Sequence, residues 1–176
     1  VSQYTTLAEG MDPARLGHLL NEYFAQLFVP VERSGGIVVD VVGDAMVALW
    51  TATSPDAEVR RSACAAALEI AAAVDRFNRE ATAQRPAFDT RFGLHCGGVM
   101  VGNVGASGHY EYRAVGDLIN TASRLEGLNK LLGTRVLASS AMLEGVGGLQ
   151  ARALGRFRLG NDGVGDEESR QHQEHA

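Results

Sequence analysis

The chain has 176 residues, a size typical of one domain, and its 45% hydrophobic and 21% charged residues are ordinary values for a globular protein. No run approaches the roughly 18 apolar residues of a bilayer span, and a formal charge of −5 is poorly suited to binding nucleic acid. Cys64 and Cys96 provide neither a disulfide framework nor zinc-ligand spacing, which favours a reducing, cytoplasmic setting.

The end of the chain differs from the rest in its charge. Residues 161–176 contain five acidic residues and one arginine, so this segment holds most of the negative charge. Its largest aliphatic residue is Val164, and so little apolar surface cannot offset the entropy lost on ordering. We therefore predict a folded domain over residues 1–160 and an acidic, disordered tail over residues 161–176.

The first half of the chain predicts two helices separated by a hairpin. Asp12-Pro13 is a favourable helix start, with an N-cap and a proline at the first helical position, and apolar residues follow at three-to-four spacing to about Arg33. The Ala-rich residues 56–78 form a second such pattern. Between them, IVVDVV and AMVALW flank Gly43-Asp44, which indicates two strands and a tight turn.

The second half predicts shorter elements. TRFGLHCG and VMVGNV are expected to pair with each other across Gly97-Gly98, and GASGHYEYRAVG is a glycine-rich loop or hairpin. A third helix is predicted over residues 117–130. A strand at 135–138, a short helix near Ala141 and a strand at 156–159 follow. This order predicts an α+β fold, with helices against one mostly antiparallel sheet.

Two groups of polar residues are candidates for chemistry. Asp44 lies in the predicted turn, where a carboxylate with apolar support can hold a hard cation or can serve only the turn's own hydrogen bonds. Asn120 and Arg124 are four residues apart on a helix and share a face. Such an amide and guanidinium suit a ribose oxygen and a phosphate, although polar residues at this spacing are also usual on a solvated face.

Taken together, four segments resemble the class III nucleotidyl cyclase catalytic domain over about residues 1–160. In chain order they are YTTLAEGMDPARLGHLLNEYF, GGIVVDVVGDAMVALW, GLHCGGVMVGNVG and EYRAVGDLINTASRLEGLN. The resemblance implies a ferredoxin-like cyclase fold, with helices packed on one face of the sheet. It also implies a head-to-tail homodimer, in which each site takes metal carboxylates from one protomer and the Asn-Arg pair from the other.

The resemblance implies conversion of a nucleoside triphosphate to a 3′,5′-cyclic nucleotide and pyrophosphate, with two Mg²⁺ or Mn²⁺ ions. Asn120 and Arg124 match the catalytic pair and Asp44 matches one metal carboxylate. The family's other metal aspartate falls directly before Val1, so the chain looks like a fragment that begins inside this motif without the first strand. The loop after that aspartate would place the Val1 carbonyl on the second ion, and Gln3, Tyr4 and Thr5 at the phosphates.

The positions expected to read the base depart from the family. Adenylate cyclases of the best-known type have Lys and then Asp or Thr there, and guanylate cyclases have Glu and Cys, whereas this chain has Asp40 and Arg113. The pair can hydrogen-bond either purine, and Asp40 can also accept from cytosine. It can equally form a bridge that reads no base, because a carboxylate among valines needs a partner. We expect ATP in preference to GTP, with a pyrimidine triphosphate as a further alternative.

The end of the domain departs as well, because RLGNDGVGDEE replaces the family's basic Lys-Gly-Lys turn near the polyphosphate. This departure and the missing aspartate favour a second hypothesis, a non-catalytic cyclase-like module for dimerisation and signalling. A diguanylate cyclase is a third, but its Gly-Gly-acidic signature is absent. We expect a cytoplasmic domain whose parent protein carries a regulatory or membrane sensor domain.

Overall fold

The computed structural model describes residues 10–82, 85–106, 109–160 and 163–166, and gives only the backbone of residues 103–106, 109–115, 160 and 163–166. Its helices are α1 (Pro13–Arg33), α2 (Ala57–Asn78), α3 (Asp117–Leu132) and α4 (Ser140–Leu143). Its strands are β1 (Ile37–Val42), β2 (Ala45–Leu49), β3 (Phe92–Leu94), β4 (Met100–Ala106), β5 (His109–Val115), β6 (Val136–Ala138), β7 (Phe157–Gly160) and β8 (Gly163–Asp166).

Both long helices begin at the capping residues that the sequence indicates. The Asp12 carboxylate accepts from the backbone N–H of Arg15 at 3.2 Å, and Pro13 takes the first helical position. The Asp56 carboxylate accepts from the N–H of Glu58 at 2.7 Å. Helix α1 continues past Pro30 to Arg33, and the positive φ of Gly35 then turns the chain toward β1. These predictions are confirmed.

The predicted hairpin is also confirmed. Strand β1 pairs with β2 in antiparallel fashion, and Val42 faces Ala45 across the two-residue turn Gly43-Asp44. Gly43 has a φ of +60°, which a residue with a side chain rarely adopts. The turn therefore places Asp44 at the tip of the hairpin.

The predicted pairing of TRFGLHCG with VMVGNV is wrong. Strand β3 pairs with β6 in parallel register, from Phe92 opposite Val136 to Leu94 opposite Ala138. Strand β4 instead pairs with β5 along its whole length, from Met100 opposite Val115. The physical reason is that β5 follows β4 almost directly and offers a full-length partner, which leaves the three-residue β3 to pair with a distant segment.

Four residues of the segment predicted to be an acidic, disordered tail are described as strand β8. Strand β8 pairs with β7, and Leu159 lies opposite Val164. The disorder of the tail as a whole stays a prediction. Residues 167–176 lie outside the described part of the chain.

The mixed helix and strand composition confirms the α+β class. The described strands form four two-stranded sheets, three antiparallel and one parallel, instead of one continuous sheet. Among the described residues, no helix has both the length and the apolarity that a bilayer span requires.

The main core lies between α1 and α2. It consists of buried aliphatic and aromatic side chains, namely Leu19, Tyr23, Phe24, Leu27, Val31, Ile70, Val74, Phe77 and Phe88. The rings of Tyr23 and Phe88 stack at 4.4 Å between centroids. The Arg135 guanidinium joins this layer to β6, because it donates to the Asp75 carboxylate at 2.6 Å and to the Ala71 carbonyl at 3.1 Å. These bonds anchor the β3–β6 pair to the helical layer, and Val38, Met46 and Ala48 of the hairpin pack against the same core.

Candidate active site

Asp44 is half-buried at the tip of the β1–β2 hairpin. Burial of the phenol raises the pKa of Tyr23 in the main core to about 12, and a hydrogen bond with Thr90 opposes this shift. The negative charge of Asp44 adds a smaller increase. A hard carboxylate at a partly shielded turn is a suitable ligand for Mg²⁺ or Mn²⁺.

A β-bulge in β1 determines which way Asp40 faces. Val38 lies opposite Ala48 and Asp40 lies opposite Val47, so the strand contains one extra residue, Val39, at this point. Val38 and Ala48 pack against the main core. Successive residues of a strand face opposite sides, so the bulge turns Asp40 to the side away from that core. Asp40 is half-buried instead of being enclosed among valines.

Arg113 is described only by its backbone. It lies on β5 opposite Gly102, and β5 approaches β1, the strand that carries Asp40. This backbone arrangement is compatible with an Asp40–Arg113 pair. The pair itself stays a prediction, because the Arg113 side chain lies outside the described structure.

Asn120 and Arg124 occupy the first half of α3 and are separated by about one helical turn. Asn120 is exposed and Arg124 is half-buried. The helix begins directly after β5 at Gly116 and packs on β3 and β6. A single rigid element therefore presents an amide and a guanidinium together, as the spacing predicts.

The predicted site residues fall into two groups on separate elements. Asp40 and Asp44 belong to the β1–β2 hairpin, which packs against α1 through β1. Asn120 and Arg124 belong to α3. Val1, Gln3, Tyr4 and Thr5 lie outside the described residues, so their predicted contacts with ions and phosphates stay predictions.

Asp44 has the donor chemistry for one ligand position of a divalent cation. Within the described ranges, no three His, Cys, Asp or Glu side chains come together to hold an ion. Mg²⁺ bound to a nucleotide usually takes most of its ligands from water and from the phosphates, so one or two carboxylates can suffice.

Two residues that the sequence reasoning missed hold α3 in place. A Cβ atom built on Gly93 would overlap the Ala122 carbonyl and the Glu126 amide nitrogen, so β3 and α3 meet backbone to backbone. Asn129 is 1% exposed, and its amide donates to the Phe92 carbonyl at 3.0 Å. The available signals were a glycine inside an apolar strand and an asparagine at a core position of the helix pattern.

Comparison with known proteins identifies relatives among the adenylate and guanylate cyclases. The family model of the adenylate and guanylate cyclase catalytic domain matches residues 1–147. "Adenylate cyclase 1" of Rhizobium meliloti (strain 1021) is 40% identical over 162 residues, which cover 90% of this chain and 23% of that protein. "Adenylate cyclase" of Anabaena cylindrica is 31% identical over 145 residues, covering 80% of this chain and 28% of that protein. The chain therefore spans about a quarter of the length of these curated relatives.

Solved structures show the same fold. The guanylyl cyclase Cya2 superposes with a TM-score of 0.76 at 25% identity, covering 92% of this chain and 81% of that one. A bacterial light-regulated adenylyl cyclase superposes with a TM-score of 0.72 at 25% identity, covering 83% of this chain and 42% of that one. With the family match over most of its length and these relatives, the chain belongs to the adenylate and guanylate cyclase catalytic domain family.

Proposed function

We propose that this domain converts a nucleoside triphosphate, ATP in preference to GTP, into a 3′,5′-cyclic nucleotide and pyrophosphate. The observation that carries the proposal is the pairing of Asn120 with Arg124 on one face of α3, in a chain that belongs to the cyclase family. The adenylate cyclases among its relatives support ATP as the substrate.

The reaction needs no side-chain nucleophile, because the substrate supplies its own. The ribose 3′-oxygen attacks the α-phosphorus, the new O3′–P bond forms, and the bond from phosphorus to the leaving pyrophosphate breaks. The proton of the 3′-hydroxyl is released. Negative charge spreads over the equatorial oxygens and the leaving group in the transition state.

Arg124 and Asn120 match the needs of that transition state. The Arg124 guanidinium would donate to the phosphoryl oxygens where charge develops, and the Asn120 amide would orient the ribose for in-line attack. Because both side chains lie on one helix, their separation is set before substrate binds. This preorganisation lowers the cost of reaching the reactive geometry.

Asp44 would hold a divalent cation, Mg²⁺ or Mn²⁺, in a site that takes two such ions in all. When bound, the ions would activate the 3′-hydroxyl and neutralise charge on the triphosphate. The half-buried position of Asp44 limits competition from water, which strengthens its interaction with a cation. The Val1 carbonyl is the proposed ligand of the second ion, and Gln3, Tyr4 and Thr5 are the proposed phosphate contacts.

Asp40 and Arg113 are the proposed base-reading residues. The bulge at Val39 supports this role for Asp40, since it directs the carboxylate away from the main core. GTP and a pyrimidine triphosphate are the alternative substrates.

We further propose that the active unit is a head-to-tail homodimer. This proposal follows from membership of the cyclase family, since the resemblance implies sites that take their metal carboxylates from one protomer and their Asn-Arg pair from the other. The greater length of the curated relatives supports a parent protein with an additional regulatory or membrane sensor domain, in which this domain is cytoplasmic.

The test is cyclic nucleotide formation by the full-length natural protein with Mg²⁺ or Mn²⁺. Replacing Asp44 by alanine or asparagine should abolish activity, because both changes remove an anchor for the ions. The matched control is Glu69→Ala, which removes a carboxylate on the surface of α2 that pairs with Arg33 at 3.2 Å and is expected to leave activity unchanged.

Two outcomes would contradict the proposal. Cyclic product from Asp44→Ala at more than a few per cent of the parental rate would remove the metal role. Absence of product from ATP, GTP, CTP and UTP in the unsubstituted full-length protein would favour the non-catalytic signalling module instead.

A further inference from the structure

We propose that Gly93 is a positioning residue for catalysis, because the absence of a side chain there lets α3 lie directly on β3 and so sets the location of Asn120 and Arg124. The inference rests on the proposed cyclase function of that pair. It concerns a residue that itself touches neither substrate nor ion in the proposed site.

The backbones of β3 and α3 are in direct contact at Gly93. Gly93 is the middle residue of β3, and a Cβ there would overlap the carbonyl oxygen of Ala122 and the amide nitrogen of Glu126. These are main-chain atoms within the helix, so they cannot move aside as a flexible side chain could. Any residue other than glycine would force the helix and the strand apart.

The contact with Gly93 lies in the middle of α3, close to the proposed catalytic pair. Ala122 lies midway between Asn120 and Arg124 in sequence, so the contact and the catalytic pair share one helical turn. At 3.6 residues per turn, the side that carries Asn120 and Arg124 is opposite the side of Ala122 and Glu126. A shift at Gly93 would therefore carry both side chains outward with the helix.

A hydrogen bond from Asn129 attaches α3 to β3 at a second point. The buried amide of Asn129 donates to the Phe92 carbonyl at 3.0 Å, and its oxygen accepts from the Thr134 hydroxyl at 2.9 Å. Asn129 lies on the same side of α3 as Ala122. Gly93 and Asn129 thus fix the helix to β3 at two points, which defines its position along the strand as well as its distance from it.

The expected effect is on rate rather than on affinity. To accept one methyl group the helix must move by about 1 Å, and such a displacement of catalytic groups can cost about a hundredfold in rate. Asn120 and Arg124 act mainly in the transition state, so Gly93→Ala should lower kcat by roughly that factor and change KM by less than about threefold. Arg124→Ala should cost a smaller factor in kcat in the Gly93→Ala background than in the parental protein, because the displaced arginine contributes less to the transition state.

The matched control is Gly17→Ala. Gly17 lies within α1, away from α3, and a Cβ there meets nothing within 4 Å. The same chemical change should therefore leave kcat and KM at parental values. An equal loss of kcat in Gly17→Ala and Gly93→Ala would overturn the inference, since it would reflect a general sensitivity of the fold to an added methyl group.

Mixing experiments in the full-length protein separate positioning from a general loss of folding. In a head-to-tail dimer Gly93→Ala damages the helix half of each site, so it should recover activity when mixed with Asp44→Ala and should not recover with Arg124→Ala. Recovery in neither mixture would show that the fold or dimer is lost, and would overturn the inference. If Gly93→Ala does not fold, Asn129→Ala replaces it, with a smaller loss of about tenfold in kcat and the same mixing pattern.

Hydrogen exchange provides a readout that does not depend on activity. Gly93→Ala should accelerate amide hydrogen exchange in α3 and leave the exchange rates in α2 unchanged, because only α3 loses its backbone contact with β3. If the unsubstituted protein forms no cyclic nucleotide, the proposed function fails, and the exchange result alone decides whether Gly93 sets the helix position. Unchanged exchange in α3 would then overturn the inference.

Discussion

At the scale of single residues, Tyr23 is a fully buried tyrosine of the main core. Its side chain is 1% exposed, its hydroxyl shares a 2.8 Å hydrogen bond with that of Thr90, and burial raises its pKa to about 12. The neutral phenol is therefore strongly preferred in the folded state. A buried tyrosine of this kind makes stability depend on pH in the alkaline range.

We predict that Tyr23→Phe flattens this alkaline dependence. Because the folded pKa is raised, the contribution of Tyr23 is complete below pH 10 and is lost as the pH rises to about 12, which amounts to about 3 kcal/mol. At pH 8 the variant should be less stable by about 1–2 kcal/mol, because the buried Thr90 hydroxyl loses its partner. Urea unfolding at pH 8, 10 and 11 measures both effects, and parallel pH profiles for parent and variant would contradict the prediction.

Asp40 and Arg113 make a second prediction at this scale. If the two side chains form a bridge, each single alanine substitution leaves a charge without its partner and should cost about 1–3 kcal/mol, while the double substitution should cost less than the sum. A thermal-melt double-mutant cycle measures the coupling. If the double substitution costs the sum of the two single losses in stability, the two side chains do not form a bridge.

The same pair bears on substrate choice. We expect Asp40→Ala to lower the rate with GTP more than the rate with ATP, because the carboxylate can accept from both N1–H and the 2-amino group of guanine but only from the 6-amino group of adenine. A competition assay with ATP, GTP, CTP and UTP measures this preference. A parental protein that does not favour ATP would contradict the substrate proposal.

At the scale of elements, α3 is the helix on which the proposed chemistry depends, and it contains an exposed interior glycine. A Cβ at Gly127 meets nothing, and Gly127 does not have a positive φ. We predict that Gly127→Ala raises the free energy of unfolding by about 0.5–1 kcal/mol, since alanine loses less conformational freedom in a helix. Chemical denaturation checks this value, and a destabilised variant would show that the position is more confined than the structure indicates.

The elements differ in how well local sequence determines them. The caps Asp12 and Asp56 and the turn glycine Gly43 act through neighbouring backbone groups, so both long helices and the first hairpin could be predicted. The partner of β3 could not, because β6 begins more than forty residues later and such pairing depends on the whole fold. The β-bulge at Val39 could not be predicted either, because IVVDVV has the pattern of a regular strand and only its register with β2 shows the extra residue.

In the candidate site as well, local features could be predicted from the sequence and features that depend on contacts between elements could not. The Asn120–Arg124 spacing and the turn position of Asp44 are local, and the structure places both as predicted. The orientation of Asp40 and the close approach at Gly93 arise from contacts between elements, which no periodicity expresses. Sequence therefore placed the candidate residues on a helix and in a turn, whereas the fold was needed to show which contacts orient and support them.

At the scale of the whole molecule, the proposed head-to-tail homodimer requires two chains to share each active site. The carboxylate of Asp44 and the pair Asn120 and Arg124 lie on separate elements of one chain. In a closed two-fold dimer, each site can combine the hairpin of one protomer with the helix of its partner. Substitutions in the two halves should then complement each other.

The most direct test mixes Asp44→Ala and Arg124→Ala forms of the full-length protein after subunit exchange. Each form alone should be inactive. In an equal mixture about half of the dimers contain one chain of each kind, and one of their two sites is intact, so activity should return to about a quarter of the parental rate. Mixed dimers that form but produce no cyclic nucleotide, while the parental protein is active, would contradict the shared site.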